Sequence, residues 1–90
     1  METRRTARIV NRAGLHARPC QMLVSTAQRF ESELRVACGS REVNGRSILE
    51  LMTLQAGPGA SLEFTARGQD ADSLVELLVA LVERGFEESS

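Results

Sequence analysis

The segment from Glu33 to Asn44 constrains the fold more than any other part of this chain. Glu33–Cys38 alternates between apolar residues and polar or small ones, which is the pattern of a half-buried strand. Gly39-Ser40 is a tight-turn pair, and Arg41–Asn44 then predicts the returning strand of a hairpin. Because a hairpin pairs its strands antiparallel, this segment favours an α+β fold over a doubly wound parallel sheet.

The rest of the chain alternates between strand and helix patterns. Thr6–Val10 and Ser61–Arg67 predict strands because apolar residues recur at every second position. Apolar residues spaced by three and four predict helices from about Ala17 to Phe30 and after Asp70. The apolar-rich segment Ile48–Leu54 predicts a further short helix.

The same patterns predict which side chains face the core and where the helices start and end. Ser47 and Asp70 are predicted N-caps, and Gly85 fits the position just past the last helix. The predicted inward residues are Ala7 and Ile9; Cys20, Leu23, Val24, Ala27 and Phe30; Leu34, Val36 and Cys38; Leu62, Phe64 and Ala66; and Leu74, Leu77, Leu78, Leu81 and Val82.

The order β-α-β-β-α-β-α within 90 residues predicts one domain, residues 1–90, of two layers. Four short strands would form a sheet with three amphipathic helices on one face. So small a domain has little room for a deep cleft with its own cofactor, so we expect none. A surface site that works with a larger partner fits this size better.

Composition excludes several classes of function. The formal net charge is −1 and the 11 basic residues are all arginines scattered along the chain, so direct nucleic-acid binding is not expected. No long apolar run or secretory signal is present, and we expect a cytoplasmic protein without a membrane span. Cys20 and Cys38 lack the spacing of a metal or redox motif, so we expect no metal and interpret both as small apolar residues.

The segment from Gly14 to Cys20 carries the candidate chemistry. His16 is the only histidine and lies where a loop becomes a helix, just before Arg18 and Pro19. Proline is tolerated in the first helical turn but disfavours the helical conformation of the preceding residue, which predicts a helix starting at about Arg18 or Pro19. His16 would then lie at or just before the N-cap.

A helix N-terminus has unpaired N–H groups and a partial positive charge, which favour an anion and disfavour a protonated imidazole. A neutral imidazole can attack phosphorus. The N–H groups of about Ala17 to Cys20 and the Arg18 guanidinium could then bind the phosphoryl group. A lone histidine at a helix start is more often a polar surface or capping residue. Only the combination with Gly14, Arg18 and Pro19 favours the phosphate site.

Two motifs of the chain resemble the histidine-containing phosphocarrier HPr of the bacterial sugar phosphotransferase system. The first is Gly14-Leu15-His16-Ala17-Arg18-Pro19, and the second is the segment from Val43 to Leu54 around Ser47. Gly57-Pro58-Gly59-Ala60 is similar to the family's glycine-containing turn, and the likeness extends from about Thr6 to Arg84. Two motifs at the family's separation make a chance match improbable.

The resemblance implies an open-faced β-sandwich with a four-stranded antiparallel sheet. It implies a relay protein rather than an enzyme, in which His16 accepts a phosphoryl group on Nδ1 from phosphorylated enzyme I and passes it to a sugar-specific enzyme IIA. Arg18 corresponds to the family's phosphate-stabilising arginine. Ser47 corresponds to the serine that an ATP-dependent kinase phosphorylates in many bacteria, and a phosphorylase is a further expected partner at this residue. A serine at a helix start is also an ordinary N-cap, so the structural explanation remains open.

The resemblance also implies an apolar docking surface near His16. Leu15, Cys20, Leu49 and Met52 are the residues expected to contribute to it, and Ile48 is expected to face inward or edge-on. Cys20 and Ala13 depart from the family pattern, and we interpret Cys20 as a tolerated small residue rather than a second nucleophile. We expect a monomer.

Two functions remain open from the sequence, a phosphoryl relay and an adaptor that works through Ser47 and the apolar surface. An adaptor has no need of His16 and Arg18, whose presence favours the relay. Neither the sugar nor the branch, sugar uptake or a nitrogen-regulatory relay, follows from the sequence, because specificity lies in the partners.

Overall fold

The structure is a computed structural model that describes residues 1–88, and it has the predicted order of strands and helices. The strands are β1 (Glu2–Arg8), β2 (Glu33–Cys38), β3 (Arg41–Asn44) and β4 (Ser61–Arg67), and the helices are α1 (Ala17–Ala27), α2 (Ile48–Met52) and α3 (Ala71–Glu83). A short 3₁₀ turn, Gly85–Glu87, follows α3. None of the helices within residues 1–88 is long and apolar enough to cross a bilayer.

The sheet is antiparallel throughout, with strand order β1-β4-β2-β3. The predicted hairpin forms its β2–β3 edge, with Val36 opposite Val43. One face of each strand is buried beneath the helices and the other carries polar residues, such as Arg4 and Arg35 on either side of Thr65. The fold is therefore an open-faced sandwich, as predicted.

The first strand extends further toward the N-terminus than its predicted range, Thr6–Val10. Its bounds follow those of β4, because pairing runs from Glu2 opposite Arg67 to Arg8 opposite Ser61. The charged residues at its start show no apolar alternation, so the sequence pattern missed them. Ile9 lies beyond the strand but is buried, as predicted, and its N–H donates to the Ala60 carbonyl at 2.8 Å.

The first helix ends three residues earlier than predicted, at Ala27 instead of Phe30. The next residues form tighter turns, with the Phe30 N–H donating to the Ala27 carbonyl. The Arg46 guanidinium then binds the carbonyl oxygens of Phe30 and Ser32 at 2.6 and 2.8 Å. These bonds draw the chain out of the helix, which leaves Phe30 half-buried rather than fully buried.

The second helix ends at Met52 rather than Leu54. The Thr53 hydroxyl donates to the Glu50 carbonyl at 2.6 Å and so uses a backbone acceptor at the helix end. Leu54 is nevertheless buried, and Cys38, predicted to face inward, is half-buried.

Two predictions about the third helix are wrong. Asp70 precedes the helix but its side chain does not cap it. Instead its carboxylate accepts hydrogen bonds from Ser32 and from the Glu31 N–H, and these bonds lower its pKa below the usual range. Leu77 is 40% exposed because, at 3.6 residues per turn, it lies to one side of the buried stripe around Leu74 and Leu78. Gly85 does end the helix as predicted, with φ of +67°.

Candidate functional site at the start of helix α1

His16 is the N-cap residue of α1, as the sequence predicted. Its backbone is extended (φ −96°, ψ −168°), and its carbonyl accepts the first helical hydrogen bond, from the Cys20 N–H at 3.1 Å. The imidazole makes no capping bond to the helix, and the side chain is 43% exposed. The ring is therefore accessible to a partner and is not used to complete the helix.

The helix begins at Ala17, as the apolar spacing predicted, and one or two residues before the start predicted from Pro19. Arg18 lies inside its first turn, so the expectation that Pro19 excludes it from the helical conformation is wrong. Pro19 has no N–H to donate, and the Cys20 N–H already binds the His16 carbonyl. By helix geometry only the N–H groups of Ala17 and Arg18 are left without an intrahelical partner. The sequence had predicted that the free N–H groups extend to about Cys20, so fewer are available than expected.

Gly14 fixes the loop that presents His16. Its φ is +70°, and a Cβ built there would lie 2.6 Å from the Ala56 carbonyl oxygen. The neighbouring Leu15 N–H donates to the same carbonyl at 2.8 Å. The backbone before the histidine is therefore packed directly against the segment that precedes β4, and only glycine fits this close approach.

Glu88 and Asn11 are site residues that sequence reasoning missed. Glu88 Oε2 lies 2.9 Å from His16 Nε2, and Glu88 Oε1 accepts from Asn11 Nδ2 at 3.0 Å. Asn11 is buried and also donates to the Gly14 carbonyl at 2.8 Å, so it links the loop to Glu88. No local pattern indicated this contact, because Glu88 lies 72 residues from His16 and beyond the last predicted helix.

Arg18 is exposed on the first turn of α1, on the same helix end as His16. Within residues 1–88 its guanidinium forms no salt bridge. It borders a shallow surface depression whose other lining residues include Gln21, Met22 and Leu81. A guanidinium in this position can bind an anion beside the helix start.

Cys20 is fully buried one turn into α1. Burial raises the pKa of its thiol to about 11, so the reactive thiolate is scarce near neutral pH. Its environment is that of a small packed residue, in agreement with the sequence interpretation.

Ser47 is the N-cap of α2, as predicted, and its hydroxyl oxygen accepts from the Glu50 N–H at 3.2 Å. Glu50 in turn reaches back, and its Oε1 accepts from the Asn44 N–H at 3.0 Å. The serine and the glutamate together close this short helix and the turn before it.

The structure divides the predicted docking residues into two groups. Leu49 and Met52 are 78% and 39% exposed on α2, which packs against α1. Leu15 and Cys20 are buried, so the prediction that they contribute to an exposed docking surface is wrong. Ile48 is partly buried against the core, as expected for an edge-on residue. An exposed apolar pair on a helix is a feature of protein-binding surfaces.

An open-faced sandwich with an exposed histidine and an arginine at the start of its first helix is the arrangement expected of a small phosphocarrier protein. The family model for the PTS HPr component phosphorylation site matches residues 3–84. The chain belongs to the HPr family, whose members are phosphocarrier proteins of the phosphotransferase system.

Curated relatives and solved structures agree with this assignment. The chain is similar to phosphocarrier protein HPr of Treponema pallidum (37% identity; 93% of this chain and 96% of that protein). It is also similar to phosphocarrier protein NPr of Shewanella violacea (35% identity; 96% and 94%). The crystal structure of HPr-C-His from Thermoanaerobacter tengcongensis superimposes with a TM-score of 0.91 (35% identity; 98% of this chain and 99% of that one).

Proposed function

We propose that this chain carries a phosphoryl group on Nδ1 of His16 between proteins of the phosphotransferase system. It accepts the group from phosphorylated enzyme I and donates it to an enzyme IIA. The observation that carries the proposal is the His16 side chain itself, which is exposed at a helix start and engaged through Nε2. With Nε2 facing Glu88, we assign Nδ1 as the ring nitrogen that attacks phosphorus.

The groups around the ring suit each stage of such a transfer. The Nδ1 lone pair forms a bond to phosphorus while the bond from phosphorus to the donor breaks, and that electron pair leaves with the donor. The N–H groups of Ala17 and Arg18 and the Arg18 guanidinium can bind the phosphoryl oxygens during and after the step. Transfer to the next protein reverses these events.

The test is phosphorylation of the full chain with enzyme I and phosphoenolpyruvate. We expect one phosphoryl group per chain that is labile in acid and stable in base, as a phosphohistidine is. The His16→Ala variant should take up none, and Arg18→Ala should be phosphorylated more slowly. An unphosphorylated native chain, or a His16→Ala variant that is still labelled, would count against the proposal.

Leu49 and Met52 are the proposed apolar contacts for these partners. Removing the exposed Leu49 side chain should slow transfer from enzyme I while the free energy of unfolding changes by less than about 0.5 kcal/mol. Leu77 is the matched control, because it is an exposed leucine on a different helix. Leu49→Ala and Leu77→Ala variants with equal transfer rates would remove Leu49 from the docking surface.

The branch of the system is defined by the acceptor. The chain is similar to an HPr and to an NPr at nearly the same identity, 37% and 35%. Presenting the phosphorylated chain to several IIA proteins and ranking their rates identifies the partner. An adaptor role alone would predict partner binding that is unchanged in His16→Ala, with no transfer in the native chain.

A further inference from the structure

The chain reverses direction after α3 in a way that brings Glu88 back to His16. Gly85, Phe86 and Glu87 all have left-handed backbones, with φ of +67°, +55° and +61°. Residues with a Cβ rarely adopt this conformation and need surrounding contacts to hold it. Phe86 supplies them, because its side chain is completely buried in the core.

Glu88 is held at both carboxylate oxygens. Oε1 accepts from the buried Asn11 side chain at 3.0 Å, and Oε2 lies 2.9 Å from His16 Nε2. The Glu88 N–H also donates to the Gly85 carbonyl at 3.0 Å. The Glu88 side chain is only 16% exposed, against 43% for His16, so the carboxylate lies behind the ring while the ring faces solvent.

We propose that Glu88 is a positioning residue for His16, which keeps the ring proton on Nε2 and so keeps the lone pair on Nδ1. This inference rests on the proposed function, in which Nδ1 of His16 is the phosphoryl acceptor. An ionised carboxylate can only accept a hydrogen bond, so the neutral ring that it binds must carry its proton on Nε2. The carboxylate also fixes the rotation of the ring relative to the start of α1.

The same contact serves the transfer step. When Nδ1 bonds to phosphorus, the ring becomes positively charged and retains its proton on Nε2. Glu88 stabilises this charge through the hydrogen bond that it already makes, so no group has to move as the charge develops. Asn11 couples this carboxylate to the loop that carries the histidine, since its amide also donates to the Gly14 carbonyl.

The first measurement is the tautomer of His16 in the unphosphorylated full chain, from long-range ¹H–¹⁵N spectra at alkaline pH. The chain has a single histidine, so the signals are unambiguous. We expect the Nε2–H form to predominate in the native chain, and Glu88→Ala to increase the Nδ1–H form. Glu88→Gln should also increase the Nδ1–H form, because an amide has a single oxygen for the two donors, Asn11 Nδ2 and the ring Nε2–H. Glu87→Gln is the matched control, since Glu87 is exposed and its carboxylate pairs with Arg84 instead.

The second measurement is the rate of phosphorylation by enzyme I. Loss of a hydrogen bond to a charged group should slow Glu88→Ala roughly 10-fold, with Glu87→Gln unchanged. A Glu88→Ala variant with the native tautomer ratio or the native rate would overturn the positioning role, and so would an equal effect of Glu87→Gln. A native chain that takes up no phosphate would instead refute the proposed function, whatever the tautomer.

Discussion

Helices α1 and α2 both begin at a candidate phosphorylation residue, but the two residues serve their helices differently. Ser47 binds the backbone N–H of Glu50 and completes the first turn of α2. His16 occupies the same position in α1 and makes no capping bond with its side chain. Its ring contacts Glu88 instead and remains open to solvent.

The difference separates a helix start that its own side chain completes from one whose N-cap side chain makes no bond to the helix. The start of α2 is closed by its own serine and glutamate, so a phosphate on Ser47 would join a helix that is already capped. By helix geometry each start keeps two N–H groups without an intrahelical partner, those of Ala17 and Arg18 in α1 and those of Ile48 and Leu49 in α2. Only in α1 do these groups lie beside an accessible imidazole. In place of a cap, the tight packing of Gly14 against Ala56 fixes the start of α1.

The largest expected effect comes from disturbing that packing. Gly14→Ala places a Cβ 2.6 Å from the Ala56 carbonyl oxygen, so we expect a loss of about 2–3 kcal/mol in the free energy of unfolding and slower phosphorylation. Gly39→Ala is the matched control, because φ is also positive but no atom lies within 4 Å of the added Cβ. It should lose about 1 kcal/mol from backbone strain alone and keep native phosphorylation. Urea unfolding measures both variants, and equal losses would contradict the packing account.

A smaller effect distinguishes the two N-caps directly. Ser47→Ala removes a capping bond and should cost about 1 kcal/mol of unfolding free energy. His16→Ala removes no capping bond and loses only the solvent-accessible contact with Glu88, so it should cost less than Ser47→Ala, about 0.5 kcal/mol. If His16→Ala proved as destabilising as Ser47→Ala, the imidazole would be part of the helix cap and the contrast would fail.

The smallest structural effect is expected for Ser47→Asp, which imitates a phosphate. Aspartate is as good an N-cap as serine, so the unfolding free energy should stay within about 0.5 kcal/mol of the native value. The added negative charge lies beside the exposed Leu49, and we expect slower transfer from enzyme I. Transfer rates equal to those of the native chain would count against regulation at Ser47.

The sequence predicted the architecture well because the fold depends on local patterns. Alternation defined β2 and β4 with their observed bounds. The turn after β2 defined β3 as the returning strand of a hairpin and so established antiparallel pairing. Errors occurred where a distant contact determines an element. β1 extends as far as β4 pairs with it, and α1 ends where Arg46 binds the carbonyls that follow. Neither contact is visible in a local window.

The candidate site shows the same difference between features set by local patterns and features set by distant contacts. The position of His16 at a helix start was predictable from Pro19 and its neighbours, and Ser47 was predictable as a cap. The helical stripe predicted burial of Cys20, although the resemblance placed it in the docking surface. Burial of Leu15 was not predictable, since it depends on the distant packing of its loop against Ala56. Glu88 was missed because a left-handed turn, anchored by the buried Phe86, returns the chain to the site from the far end of α3.

The central claim is that the phosphoryl group is carried on Nδ1 of His16 while Nε2 keeps its proton beside Glu88. The direct measurement is ¹⁵N and ³¹P NMR of the full chain after phosphorylation with enzyme I and phosphoenolpyruvate, with its single histidine ¹⁵N-labelled. We predict that phosphorus couples to Nδ1 and that Nε2 remains protonated. Phosphorus on Nε2, or on a residue other than His16, would contradict the account.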